Sequence, residues 1–144
     1  MFNWCRSTAT GPNAGTYDAT NALGTGIGGY NDWYIPAKNE LEILYRSLKP
    51  NTTANNTSFG VNANAVPSAT SNYTAGSPAQ TTVAIFQTGG AQAFSTANVY
   101  WSASEASSGA TGAWEQNFND GIQLTNGVNK NVNYYARAVR RVAA

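Results

Sequence analysis

The sequence predicts a loop-rich α+β domain with one main helix, over about 37–48, and an antiparallel sheet toward its C-terminal end. Three observations predict it. Leu41, Leu44, Tyr45 and Leu48 recur at i, i+3, i+4 and i+7 in AKNELEILYRSLKP, one apolar stripe along a helix. In AWEQNFNDG, Trp114, Gln116 and Phe118 alternate with Glu115, Asn117 and Asn119, as side chains do on the two faces of a strand. Only 10% of the residues are charged, against roughly 25% in an average domain. Solubility then rests on Asn, Thr, Ser and Gly, which favour turns over helix. Four Trp and eight Tyr supply the material of a core, and 144 residues suffice for one domain able to bury it.

In order, residues 1–29 are small and polar and end in GTGIGG. Gly24, Gly26 and Gly29 have the GxGxxG spacing, but DATNAL before and YNDWYIP after supply neither the strand nor the helix of a dinucleotide site, and a loop is expected. Trp33, Tyr34 and Ile35 read as an extended segment. Pro36 sets the entry to the helix, Pro50 follows its end, and Lys49 suits the negative end of the dipole. Residues 51–80 lack periodicity and read as a long excursion. Asn51, Asn55, Asn56 and Asn72 head N-x-S/T sequons that a stretch so rich in Asn and Thr produces by chance. A short helix is expected before Gly89-Gly90. Val99–Ser104 and Ala113–Phe118 read as strands, Asn119-Asp120-Gly121 as a hairpin turn, and Ile122–Thr125 as the returning strand. Asn126-Gly127 offers a second turn, and YYARAVRRV a final strand.

Absences narrow the chemistry. With no histidine, Ser-His-Asp and Cys-His catalysis and His-ligated zinc are excluded. Cys5, the single cysteine, forms no intrachain disulfide or CxxC site and reads as a small hydrophobe. No cofactor is implied, and no acidic cluster is dense enough to hold calcium. No apolar run approaches the length of a membrane span, which argues against membrane insertion. MFNWCRST is not a secretory signal. Its abrupt start reads as the interior of a longer parent protein or as a separate short tail component. A net charge of +1 argues against nucleic acid. Glu105 with Glu115 or Asp120 is the one acidic pair a hairpin would bring near, as a glycosidase requires. Arg137 and Arg141 share one face of the last segment and Arg140 the other. They form either a basic edge for an anionic polymer or structural arginines bonded to carbonyls and carboxylates.

The segments GGYNDWYIPAKNELEILY, YWSASE, AWEQNFNDG and NKNVNYYARAVRRV, in this order, resemble the family named for the C-terminal domain of the Legionella collagen-like adhesin. Related domains occur in phage tail fibres and in retroelement-variable receptor-binding proteins. The resemblance runs from about Trp4 to Val142. It departs at Ala37, where the family has Ser or Thr to begin a capping box with Glu40, and in the length of the Asn51–Gln80 excursion. The resemblance implies a C-type-lectin-like fold over 1–144, a single adhesion or receptor-binding domain that is part of a larger assembly. It also implies a homotrimer, placed on a virion or outside the cell. Similar formylglycine-generating enzymes depend on active-site cysteines that one Cys cannot supply, and no enzymatic activity is expected. The calcium-ligating tripeptides of many lectins are absent, which makes any glycan binding calcium-independent.

Carried over residue by residue, the resemblance makes Trp114, Phe118, Gly121, Arg137, Val139 and Arg140 scaffold. It makes Glu115, Asn117, Asn119, Asp120, Ile122, Leu124, Thr125 and Asn126 contact positions, with the loop about Ala106–Gly112 alongside. The strand alternation agrees, turning Trp114 and Phe118 inward and Glu115 and Asn117 outward. The expectation is a non-catalytic binding domain of a phage tail fibre or adhesin tip. Its partners would be a host cell-surface glycan or protein and other virion or fibre subunits. The alternative is a structural decoration or assembly protein of a virion or filament, with no receptor role. A glycan-cleaving enzyme ranks below both.

Overall fold

The computed structural model describes residues 32–107, 111–125 and 130–141. The expectations for the glycine loop, Cys5 and the Asn126-Gly127 turn lie outside the described residues.

Helix α1 spans Lys38–Leu48, one residue shorter than the sequence predicts. Its stripe packs as expected: Leu41 and Tyr45 are buried in the core, and Leu44 and Leu48 lie against it. The helix start shows how the Ala37 departure is accommodated. Glu40 accepts the Ala37 N–H at 2.9 Å, which is half of a capping box; a methyl group cannot return the bond. Ser104, distant in sequence, instead accepts the Lys38 N–H through its Oγ at 3.1 Å. A backbone donor that a local residue would satisfy is thus partly served by the sheet. Ala37→Ser should add a side-chain acceptor for the first-turn N–H groups and raise stability by about 1 kcal/mol in a chemical denaturation.

Three strands form one antiparallel sheet, β1 (Val99–Glu105), β2 (Ala113–Asn117) and β3 (Gln123–Leu124), in the order β1-β2-β3. The register sets Trp101 opposite Glu115 and Glu115 opposite Leu124, and Tyr100 opposite Gln116 and Gln116 opposite Gln123. Among the described residues, one α-helix and this sheet make a small α+β domain. The other edge of β1 is met by Tyr135 in a parallel bridge to Tyr100. The tail YYARAVRRV is therefore not a continuous strand, which corrects the expectation. Its two bridges go to different partners, Tyr135 to Tyr100 and Val139 to Tyr34, and no ladder runs between them. The short helix expected before Gly89-Gly90 is a single 3-10 turn, Ala84–Phe86.

The described residues fall into two compact units, one made of 32–36 with 137–141 and one within 37–136. In the smaller, Tyr34 and Val139 exchange both backbone hydrogen bonds at 2.9 Å. Arg140 there grips Asp32 through Nε and a terminal nitrogen at 3.0 and 3.2 Å, and that bond holds the Asp32 carboxyl below its ordinary value. Arg141 Nε donates to the Tyr34 hydroxyl at 3.1 Å. The structural reading of Arg140 and Arg141 is the one the geometry supports.

In the larger unit the core is aromatic. The rings of Phe94 and Phe118 stack at 3.8 Å and 4°. Tyr100 meets Phe118 edge-on at 5.2 Å, and Tyr45 does so at 5.7 Å, geometries favoured by ring quadrupoles. Tyr73 completes the cluster. It comes from the 51–80 excursion, which is stitched into the core rather than laid over it. Asn55 accepts the Tyr45 O–H at 2.5 Å and a Lys49 N–H at 2.7 Å, and its amide donates to the Thr74 and Pro78 carbonyls at 2.9 Å each. Lys49, only 2% exposed, also donates to the Thr53 carbonyl. Burial lowers the Lys49 pKa, and the Asp120 charge opposes that fall. The lysine read as a dipole partner at the helix end is a buried staple between α1 and the excursion.

Candidate functional site

The hairpin joining β2 to β3 is fixed by its own polar groups. Asn117 N–H donates to the Ile122 carbonyl at 2.8 Å, and Gly121 N–H returns to the Asn117 carbonyl at 3.0 Å. Asn117 Oδ1 accepts the Asn119 N–H at 2.8 Å, and Asp120 Oδ1 accepts the Ile122 N–H at 3.2 Å. These are the Asx turns that Asn and Asp form readily. The excursion ties the tip down: Asn51 donates to Asn119 Oδ1, and Asn56 N–H to the Asp120 carbonyl, both at 2.8 Å. Gly121 takes φ +84°, the left-handed region that a hairpin turn often requires.

The structure sorts the expected contact positions into three groups. Ile122, Leu124 and Thr125 are half-buried on the outgoing arm. Asn117, Asn119 and Asp120 are also half-buried, but each spends an oxygen on holding the turn or on Asn51. Removing Asn117 or Asp120 therefore costs stability as well as any contact. Glu115 is 7% exposed. Asn126 and residues 108–110 of the flanking loop lie outside the described residues. In the rest of that loop, Ala106 N–H bonds the Gly112 carbonyl at 3.1 Å.

Burial of Glu115 corrects the simple division into inward rings and outward polar groups. Alternation holds, but both faces of β2 are covered. Gln116 and the following Phe118 lie at 0% exposure on the helix side, where Gln123 joins Gln116 Oε1 at 2.9 Å to the Lys38 carbonyl at 2.8 Å. Trp114 sits at the rim of that side, half-buried, with Lys38 Nζ 3.7 Å from its ring centroid. Truncating Trp114 should cost less than truncating a fully buried ring. On the opposite side Glu115 lies between Trp101 and Leu124, and residues 130–136 cover Trp101. The Trp101 indole donates to the Val132 carbonyl at 3.3 Å, and the Tyr134 ring lies 4.9 Å from it.

Glu115 Oε2 is buried with no hydrogen-bond partner among the described residues. Burial pushes its carboxyl above the ordinary value of 4.5, and the Glu115 charge adds to the burial that raises the Tyr134 phenol. Between the two Glu115 values the folded chain binds a proton that the unfolded chain has released. This contribution is fully present below the unfolded pKa and is lost as pH rises through the folded one. Glu115→Gln should melt close to the parent at about pH 4 and increasingly above it toward pH 7. The comparison cancels the opposite trends of Asp32 and Glu105, whose carboxyls Arg140 and Lys130 hold low. A constant difference across that range would contradict the assignment.

Glu105 is exposed and paired with Lys130, while Glu115 is buried. The two carboxyls therefore do not face each other across an open cleft as a glycosidase pair would. Among the described residues no group of three or more His, Cys, Asp or Glu lies close enough to hold a metal ion. No described helix is long and apolar enough to cross a membrane.

A cleft of about 380 Å³ opens beside the hairpin, between α1 and the 58–64 loop, with Lys38, Glu42, Tyr73 and Trp114 among its walls. Sequence reasoning missed it. Glu42 lies next to the apolar stripe and shows no pattern of its own, and the 58–64 loop shows none at all. Of its lining residues, Trp114 and Gly121 were read only as scaffold and Asn72 only as a chance sequon.

Residues 2–140 match the family model described as the Lcl C-terminal domain, and the chain belongs to that family. It is an adhesin-type family and not a known enzyme family. Its members are suited to a cell surface or extracellular setting. Searches of curated proteins and of solved structures return no match.

Proposed function

We propose that this chain is the non-catalytic binding domain of a phage tail fibre or adhesin tip, and that it attaches to a cell-surface glycan or protein. One observation carries this reading beyond the family assignment. The hairpin is locked by its own Asx turns and by the excursion, and it leaves Ile122, Leu124 and Thr125 half-exposed on its outgoing arm. A rigid support with a small mixed apolar and polar patch loses little entropy on binding. A C-type-lectin-like fold, assembly as a homotrimer and attachment to other virion or fibre subunits belong to the same proposal and rest on the resemblance.

The test is adsorption of the fluorescently labelled chain to a panel of intact cells. Saturable binding that unlabelled chain displaces, and that Leu124→Asp removes at an unchanged fold, is the expected result. An absence of saturable binding on every cell type would favour the alternative of a decoration or assembly protein.

A further inference from the structure

We infer that the cleft between α1, the 58–64 loop and the hairpin is a seat for a single uncharged sugar ring. The inference rests on the binding-domain reading and names the ligand class of a site beside the hairpin. The cleft's volume, about 380 Å³, falls in the range of small-molecule sites. A flat protein epitope would not fill it.

Its charges already have partners. Lys38 Nζ lies over the Trp114 ring at 3.7 Å. The buried Glu42 carboxylate accepts the Asn62 amide on one oxygen and the Tyr73 O–H, at 3.1 Å, on the other. A charged ligand would find an ammonium ion engaged by an aromatic ring and a carboxylate engaged by two neutral donors. It would also feel both signs within one cleft. Lys38 Nζ has no hydrogen-bond acceptor among the described residues, but the Glu42 carboxylate in the same cleft disfavours an anion there, and the other groups left over are neutral. The Asn64 and Asn72 side chains and the Ser58 hydroxyl line the cleft, are exposed, and have no hydrogen-bond partner among the described residues. The Trp114 indole N–H likewise has no acceptor there.

An amide offers a donor and an acceptor on one side chain, and a hydroxyl does the same on one atom. That is the complement of a ring bearing adjacent hydroxyl groups, each of which both donates and accepts. The half-exposed indole adds apolar surface and a donor at one edge, where the C–H groups of a pyranose would lie. Because the polar groups come from loops anchored by Glu42, Asn62 and Tyr73, their positions are largely set before binding. Affinity at one seat would be weak, and an assembly of several chains would multiply it.

The test applies the full chain to an array of neutral, sialylated and sulfated glycans. It then titrates the chain with methyl pyranosides of glucose, galactose, mannose and N-acetylglucosamine, followed by the Trp114 indole N–H resonance. At least one neutral glycoside should saturate and shift that resonance. The double variant Asn64→Ala/Asn72→Ala should bind it about tenfold more weakly, as expected for two lost hydrogen bonds, with the melting temperature unchanged. Failure of every neutral glycan to bind, binding confined to charged glycans, or full affinity in the double variant would each overturn the inference. Cell adsorption kept by the double variant but lost in Leu124→Asp would sink the sugar seat and leave the binding-domain reading intact.

Discussion

Phe118→Ala lowers the free energy of unfolding by about 3–5 kcal/mol, the range for truncating a buried aromatic. Phe118 has no exposed surface and is the hub of the core: Phe94 stacks on it, and Tyr45 and Tyr100 meet it edge-on. These neighbours come from α1, from the segment before β1 and from β1 itself. The hole left by the ring is therefore lined by elements that cannot all move in together. The cost should reach the function too, because Phe118 sits at the foot of the hairpin. Urea titration measures the effect, and a loss below about 1 kcal/mol would mean that the ring cluster does not form.

Gly121→Ala is expected to cost about 2–5 kcal/mol, from two additive causes. The left-handed conformation at φ +84° penalises any side chain by about 1–2 kcal/mol. In addition, a Cβ there would lie 2.4 Å from the Tyr45 ring and 2.8 Å from the Tyr73 ring. Both rings are buried, and forcing them aside adds about 1–3 kcal/mol of overpacking. The melting temperature should drop steeply. If Gly121→Ala melted with the parent, the turn would have a different conformation from the one described.

Much of the frame was legible in the sequence, for physical reasons that can be named. Leu41, Leu44, Tyr45 and Leu48 had no other periodicity to satisfy, and Asn119-Asp120-Gly121 allows few turns besides the one observed. What periodicity does not carry is the identity of the covering layer. Alternation separated Glu115 from Trp114, yet it could not show that residues 130–136 close over Trp101 or that Glu115 is buried as well. Nor does any pattern mark the buried roles of Asn55 and Lys49. Their roles depend on carbonyls at Thr53, Thr74 and Pro78 that become neighbours only after folding. For the same reason the excursion, read as an aperiodic loop, turned out to supply Tyr73 to the core and Asn51 to the hairpin tip. Of the expected contact positions, Ile122, Leu124 and Thr125 keep that role as a proposal, and buried Glu115 is better read as part of the support.

We propose that the hairpin divides into groups that hold its shape and groups that meet a partner. The most direct measurement is an alanine scan of Asn117, Asn119, Asp120, Ile122, Leu124 and Thr125, with melting temperature and cell adsorption recorded on each variant. Asn117 and Asp120 variants should fall in both, while Leu124 and Thr125 variants should lose adsorption at a nearly parental melting temperature. Adsorption that follows melting temperature at every position, with no variant that folds normally and fails to bind, would contradict it.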